Sequence, residues 1–264
     1  MLTIEKLSKT FYIGTVNENS VINDLDLKIN EGDFISIIGG NGAGKSTLLN
    51  LIAGVHFPEA GRISLDSNDV TRLAEHKRAK YISRVFQDPL LGTAGEMSIA
   101  ENLAMAKRKG KRRGLSWWTN KEEEKEFKEL LKTLDLGLEQ RIQTKVKLLS
   151  GGQRQALSLI MATMTSPRLL LLDEHTAALD PKTAATIMQE TERIVNEKKL
   201  TTLMITHNMR HAIEYGNRLI MMNKGRIVLD ISGEKKKELS VQNLLSLFQE
   251  AVGEEMTNDR MLLQ

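Results

Sequence analysis

The sequence predicts an α/β protein whose core is interrupted by a helical subdomain. Three observations predict it. Short apolar runs of strand length, "FISIIGG" at 34–40 and "LLLL" at 169–172, match buried strands. A glycine-rich phosphate-loop pattern joins the first of these strands to a helix. Between about residues 96 and 165 the apolar period changes to that of amphipathic helices, and charge density rises.

Taken in order, the first third reads as strands. Leu25, Leu27 and Ile29 alternate with Asp24, Asp26 and Lys28, the period of a half-buried strand. "FISIIG" is a fully buried strand, and "STLLNLIAGV" a helix ending at Gly54. "GRISLD" at 61–66 follows a Pro-Glu-Ala-Gly turn as another half-buried strand. In the middle, Phe127, Leu130, Leu131 and Leu134 share one helical face, as do Ala156, Leu157, Ile160, Met161 and Met164. The core resumes with "LLLL". Asp180-Pro181 then supplies an N-cap and first-turn proline for a helix with Ile187, Met188, Thr191, Ile194 and Val195 on one face. "LTTLMIT" at 200–206 is a buried strand, and "RLIMMNKGRIVLD" a hairpin turning at Asn223-Lys224-Gly225. Val241, Leu244, Leu245 and Phe248 mark a short amphipathic helix that packs on the core.

Composition bounds the function. The chain has 264 residues, 41% apolar and 27% charged, as soluble globular proteins do. A net charge of +3 gives no strong field for nucleic acid. The absence of cysteine excludes disulfides, thiolate metal sites and cysteine nucleophiles. No stretch approaches the roughly 20 apolar residues of a membrane span, and "MLTIEKLSKT" lacks the apolar core of a signal peptide. A soluble protein without nucleic-acid partners is expected.

"GGNGAGKST" at 39–47 matches G-x-x-x-x-G-K-[ST] through Gly39, Gly44, Lys45 and Ser46, with Gly40, Asn41, Gly42, Ala43 and Thr47 completing the loop. Glycines let backbone N–H groups turn inward around phosphate oxygens, and the helix N-terminus adds its positive dipole end. Lys45 is expected to reach the β- and γ-phosphates, and Ser46 to ligate Mg²⁺. Such a site needs a carboxylate for the metal. "LLLLDEHTAALD" at 169–180 supplies Asp173 for that role, and Glu174, turned the other way, for a general base that polarises the attacking water. "LLSGGQRQALSLIMA" at 148–162 offers a second anion-binding helix N-terminus, with the Ser150 hydroxyl as an extra donor. A second cradle is redundant for one nucleotide and makes sense if it reaches the nucleotide of another subunit.

These motifs together resemble the ATP-binding cassette (ABC) family, the ATPases of ABC transporters, over nearly all of residues 1–250. The resemblance implies a phosphate-loop NTPase core, a RecA-like mixed sheet with an antiparallel β subdomain, formed by 1–95 and 166–235. The inserted helical subdomain is then about 96–165, and 236–264 forms a C-terminal helix and tail. It implies ATP and Mg²⁺ as cofactors, and Ser150, Gly151, Gly152 and Gln153 as the signature that covers the partner's ATP in a homodimer. Gln87 in "VFQDP" resembles the glutamine that touches Mg²⁺ or its water, Asp180 the dimer-interface aspartate, and His207 in "MITHN" the switch histidine at the γ-phosphate. Phe11 or Tyr12 is the aromatic expected to stack on adenine.

The family usually has proline after the catalytic glutamate, where this chain has His175; a substituted turn residue is expected there. With no membrane span, the chain is expected to be a separate ATPase subunit on the inner face of the cell membrane. It would dock on an integral permease through residues around 88–105 and be served indirectly by an extracytoplasmic substrate-binding protein. A single cassette resembles bacterial importers, and "DEHTAALD" with the basic insert "KRKGKRRG" at 107–114 resembles a subgroup linked to amino-acid uptake, with tryptophan one candidate. The insert, with Trp117 and Trp118, reads as a flexible solvated loop; contact with anionic lipid headgroups is the sharper alternative. The rival to transport is a cassette that serves a protein partner, such as an iron–sulfur assembly ATPase.

Overall fold

A computed structural model describes residues 1–109 and 120–252. The chain divides into two compact units, one formed by Met1–Arg78 with the chain from Leu200 on, the other by Ala79–Lys199.

The first unit begins with β1 (Leu2–Phe11) and β2 (Asn19–Ile29), paired antiparallel. In β2 Leu25, Leu27 and Ile29 are buried while Asp24, Asp26 and Lys28 face solvent, the alternation read from the sequence. All five residues of β3 (Phe34–Ile38) are buried. A loop leads from it into α1 (Lys45–Ala53), which ends where Gly54 adopts a left-handed conformation. Then come β4 (Ala60–Leu65), antiparallel to β1, β5 (Asn68–Asp69) and the short α2 (Glu75–Arg78). The antiparallel sheet runs β2-β1-β4-β5. The Arg78 side chain is 1% exposed and donates to the carbonyls of Leu51, Ile52, Thr71 and Leu73, so it terminates α1 from the side. Burial pulls its guanidinium down to about 10, with Asp69 opposing the shift.

The second unit contains β6 (Ile82–Val85), α3 (Ile99–Lys107), α4 (Lys121–Lys132), α5 (Gly151–Thr163), β7 (Leu169–Asp173) and α6 (Pro181–Lys198). Strands β6 and β7 pair in parallel. Ser98 caps α3 in a capping box with Glu101, and Asp180 caps α6 by accepting from the Thr183 N–H, with Pro181 next as the sequence predicts. The predicted face of α6 is buried throughout: Ile187, Met188, Thr191, Ile194 and Val195. On α4, Phe127 and Leu131 are buried, with Leu134 just past its end. Of the basic insert, Lys107 and Arg108 pair with Glu126 and Glu123, and Lys109 donates to Ile82 O and Ser83 Oγ. Gly110 to Thr119, with Trp117 and Trp118, lie outside the described residues.

Back in the first unit, β8 (Thr201–Ile205) lies parallel to β3, which is also parallel to β9 (Arg218–Asn223). Between them runs α7 (Met209–Glu214). The antiparallel β9 and β10 (Arg226–Ser232) turn at Lys224 and Gly225, both at positive φ, giving the order β10-β9-β3-β8 in this unit. After the short α8 (Glu234–Lys237), Leu244 and Phe248 of α9 (Val241–Val252) pack with Ile38, Met209, Leu219 and Met221. The C-terminal helix therefore packs on the core, as its spacing predicts.

Candidate functional site

The candidate residues fall into three groups. The first is the loop between β3 and α1. Gly39 has φ 151°, and a Cβ there would lie 2.3 Å from the Met222 carbonyl oxygen, so only glycine fits. Gly44 occupies the N-cap of α1 with no side-chain cap hydrogen bond. Lys45 is 6% exposed, and its ammonium donates to Gly39 O at 2.7 Å and Gly40 O at 3.1 Å. The cation thus lies across the loop it belongs to, held by carbonyls. The Gly225 N–H donates to Ala43 O, so the β9–β10 turn braces the loop. Asn41, Gly42 and Ser46 are exposed and Thr47 half-buried, at the mouth of this cradle.

In the same unit, Phe11 is half-buried, with Lys9 Nζ 5.0 Å from its ring centre and His56 packed edge-on at 5.3 Å. Tyr12 next to it is 70% exposed. His207 follows β8, half-buried, in a turn fixed on both sides. The Thr206 N–H donates to Ile37 O, and the Asn208 N–H donates to Thr206 Oγ1. Asn208 caps α7 by accepting from the His211 N–H. His211 is half-buried and meets Tyr215 edge-on; burial lowers its pKa, against the pull of Glu214.

The second group stands at the end of β7. Asp173 is not simply a strand terminus: its carboxylate forms an ion pair with Arg84 of β6, and both side chains are 13% exposed. Arg84 also lies over the Phe86 ring, 4.7 Å from its centre. Sequence reasoning missed this partner. The available signal was a cation inside the apolar run "YISRVF". Glu174 has φ 47°, an uncommon conformation for a non-glycine residue, and Ala177 donates back to its carbonyl. His175 is 2% exposed, with Nε2 3.0 Å from Thr191 Oγ1. The single Thr191 hydroxyl proton goes to Ile187 O at 2.7 Å, so Nε2 carries the proton and donates to Thr191. His175 is therefore more than a substituted turn residue: it ties the turn after β7 to α6. Gln87 is exposed, and its loop carries the exposed Leu90 and Leu91.

The third group opens α5. Ser150 and Gln153 form a reciprocal capping box, each side chain bonded to the other's backbone N–H at 3.2 Å. Ser150 and Gly151 are exposed. Gly152 is buried: a Cβ on it would lie 2.2 Å from Thr183 Cγ2 on α6. Gln153 also donates to Leu136 O. Ser150, Gly152 and Gln153 are thus engaged within their own chain, and of the four residues Ser150 and Gly151 are the exposed ones. Gln155, 1% exposed, reaches Phe86 O, a contact the sequence did not suggest. Asp180, exposed, is kept below the usual carboxylate range by its hydrogen bonds to Thr183.

The proposed Mg²⁺ ligands offer only oxygen donors: the Ser46 hydroxyl, the Gln87 amide and the Asp173 carboxylate. That set suits a hard cation completed by phosphate and water oxygens. Among the described residues there is no group of three or more His, Cys, Asp or Glu that could hold a metal ion.

With this geometry in place, the profile of the family described as ABC transporter matches residues 22–177. The chain is 49% identical over 256 residues to a tyrosine transport ATP-binding protein of Clostridioides difficile (strain R20291), covering 96% of this chain and all of that protein. It is 35% identical over 212 residues to the spermidine/putrescine import ATP-binding protein PotA of Haemophilus influenzae, spanning 80% of this chain but only 54% of PotA. Among solved structures, the dimeric MJ0796, a bacterial ABC transporter cassette, superposes with a TM-score of 0.75 at 30% identity, over 88% of this chain and 98% of that one. The mixed sheet with its helices is the fold that the phosphate-loop motif predicts.

Proposed function

The chain belongs to the ABC transporter family, and on that premise we propose that it is the ATP-hydrolysing subunit that energises uptake through a separate membrane permease. The observation that carries this reading is the glycine-capped start of α1 with the Lys45 ammonium drawn across the Gly39 and Gly40 carbonyls. A triphosphate offers that lysine oxygens of full negative charge in place of two neutral carbonyls, so the exchange is favourable. N–H groups of the loop and of the first turn of α1 hold the β- and γ-phosphates.

Phe11 or Tyr12 stacks on adenine. Ser46, Asp173 and Gln87 hold Mg²⁺, which when bound neutralises charge on the phosphates. Glu174 orients and deprotonates the attacking water. His207, held between Thr206 and Asn208, contacts the γ-phosphate. Ser150 and Gly151 of a second copy close over the nucleotide, with Gly152 and Gln153 shaping the helix start behind them and Asp180 at the interface. ATP thereby joins an isologous homodimer, and loss of phosphate releases it.

In this reading the exposed Leu90 and Leu91 beside Gln87 offer an apolar surface to the permease, and the chain docks from the inner face of the membrane. Among the described residues no helix is long and apolar enough to cross a membrane. An extracytoplasmic binding protein delivers the cargo to that permease. The similarity to a tyrosine transport protein supports an aromatic amino acid as cargo; the sequence resemblance pointed to tryptophan in the same class.

The test is Glu174→Gln. The variant is expected to bind ATP and elute as a dimer in size-exclusion chromatography with ATP, returning to monomer when ATP is removed. Wild type is expected to dimerise only transiently. A variant that stays monomeric at saturating ATP, or that hydrolyses ATP like wild type, refutes the assignment.

A further inference from the structure

We propose that Arg84 is a built-in counter-cation of Asp173 that competes with the divalent cation accompanying the nucleotide, and so sets how much of that cation the ATPase needs. The inference rests on the functional reading above and adds a residue to it.

Arg84 stands on β6 opposite Leu171 of the parallel β7, and its guanidinium reaches along the strands to Asp173 Oδ2. A carboxylate waiting for a metal is commonly met by neutral donors or water; here a full positive charge already occupies one of its two oxygens. The pair is largely dry, each side chain 13% exposed, so the charges are weakly screened. Nor does Arg84 swing freely. Its guanidinium lies over the Phe86 ring, 4.7 Å from the centre. The Phe86 backbone is in turn held by Gln155 of α5, whose Nε2 donates to its carbonyl at 3.2 Å. Gln155 is itself 1% exposed.

A guanidinium fixed on an aromatic face does not step aside at little cost. A divalent ion drawing on Asp173 must therefore share the carboxylate with a neighbouring positive charge. Attraction to the carboxylate is reduced and repulsion from Arg84 added. A bystander ion pair that only joins β6 to β7 has a different consequence, because its loss lowers stability and leaves the cation requirement where it was.

The experiment measures binding of mant-ATP by the full chain, first with EDTA and then across a Mg²⁺ titration, for wild type, Arg84→Gln, Arg84→Lys and Phe86→Leu. Arg84→Gln keeps a donor for Asp173 without the charge, and its half-saturating Mg²⁺ is expected to fall about ten-fold. Arg84→Lys keeps the charge and is expected to stay within about two-fold of wild type. Phe86→Leu removes the face that holds the guanidinium and is expected to fall about three-fold, which tests the idea even if Arg84→Gln does not fold. Binding in EDTA is expected to be the same in all four. A half-saturation unchanged in both Arg84→Gln and Phe86→Leu, or raised in either, overturns the competition and leaves Arg84 as a strand clamp. Failure of wild type to bind mant-ATP with or without Mg²⁺ overturns the functional reading instead.

Discussion

Replacing Gly152 with alanine tests whether the second glycine of the signature is a packing requirement between α5 and α6. The added Cβ would lie 2.2 Å from Thr183 Cγ2, inside any tolerable carbon–carbon contact, while its next neighbours, Thr183 Cβ and Oγ1, are at 3.6 and 3.8 Å. One methyl group is therefore the whole obstacle. Overpacking of this kind costs about 1–3 kcal/mol, and removing a helical glycine returns roughly 0.5–1 kcal/mol. Gly152→Ala should thus lose about 1–2 kcal/mol of stability, or about 2–4 °C in Tm for each kcal/mol in a chain of this size. Thr183→Ser deletes the offending methyl and keeps the hydroxyl. The double variant should therefore recover wild-type stability, with a coupling energy of about 1–2 kcal/mol. Urea denaturation followed by circular dichroism on all four proteins closes the cycle. A Gly152→Ala protein as stable as wild type, or one that Thr183→Ser does not rescue, refutes the packing argument and returns Gly152 to a role wholly in the partner's nucleotide.

Lys45→Met should lower mant-ATP affinity by at least about 100-fold, since a charged donor to phosphate is lost; fluorescence titration checks it. Arg78→Met removes the side-chain donor from four carbonyls, those of Leu51, Ile52, Thr71 and the part-buried Leu73, with only Leu51 keeping the Gly54 N–H, and should cost about 3 kcal/mol or more in thermal unfolding. The His211 pKa is held below 6.5 by burial, so just under pH 6.5 the unfolded chain binds more protons than the folded one. Stability should fall as pH drops from 6.5 toward the folded value, and His211→Gln should flatten that part of the curve measured by denaturation at each pH.

Much of the fold was legible because it is local. The alternation in β2, the glycine stop of α1, the Asp180-Pro181 start of α6 and the Lys224-Gly225 turn each follow from backbone preference or a one-sided core, and each stands where the sequence predicts. The phosphate loop was legible for the same reason: its glycines and lysine act within nine consecutive residues. His175 was not, because its partner Thr191 lies a turn and several helical residues away, and only the packing of α6 makes the histidine a buried donor.

The sequence by itself determined the phosphate-loop pattern, the two adjacent carboxylates after a buried strand and the second glycine-rich helix N-terminus. The tertiary structure decided what those groups meet. Asp173 faces Arg84 across two parallel strands, Gly152 faces Thr183 across two helices, and Phe86 takes its hydrogen bond from Gln155. The physical reason is that spacing along the chain fixes which backbone N–H groups point together. The charges and methyl groups that neighbour a side chain are set by strand register and helix packing, between residues far apart in sequence.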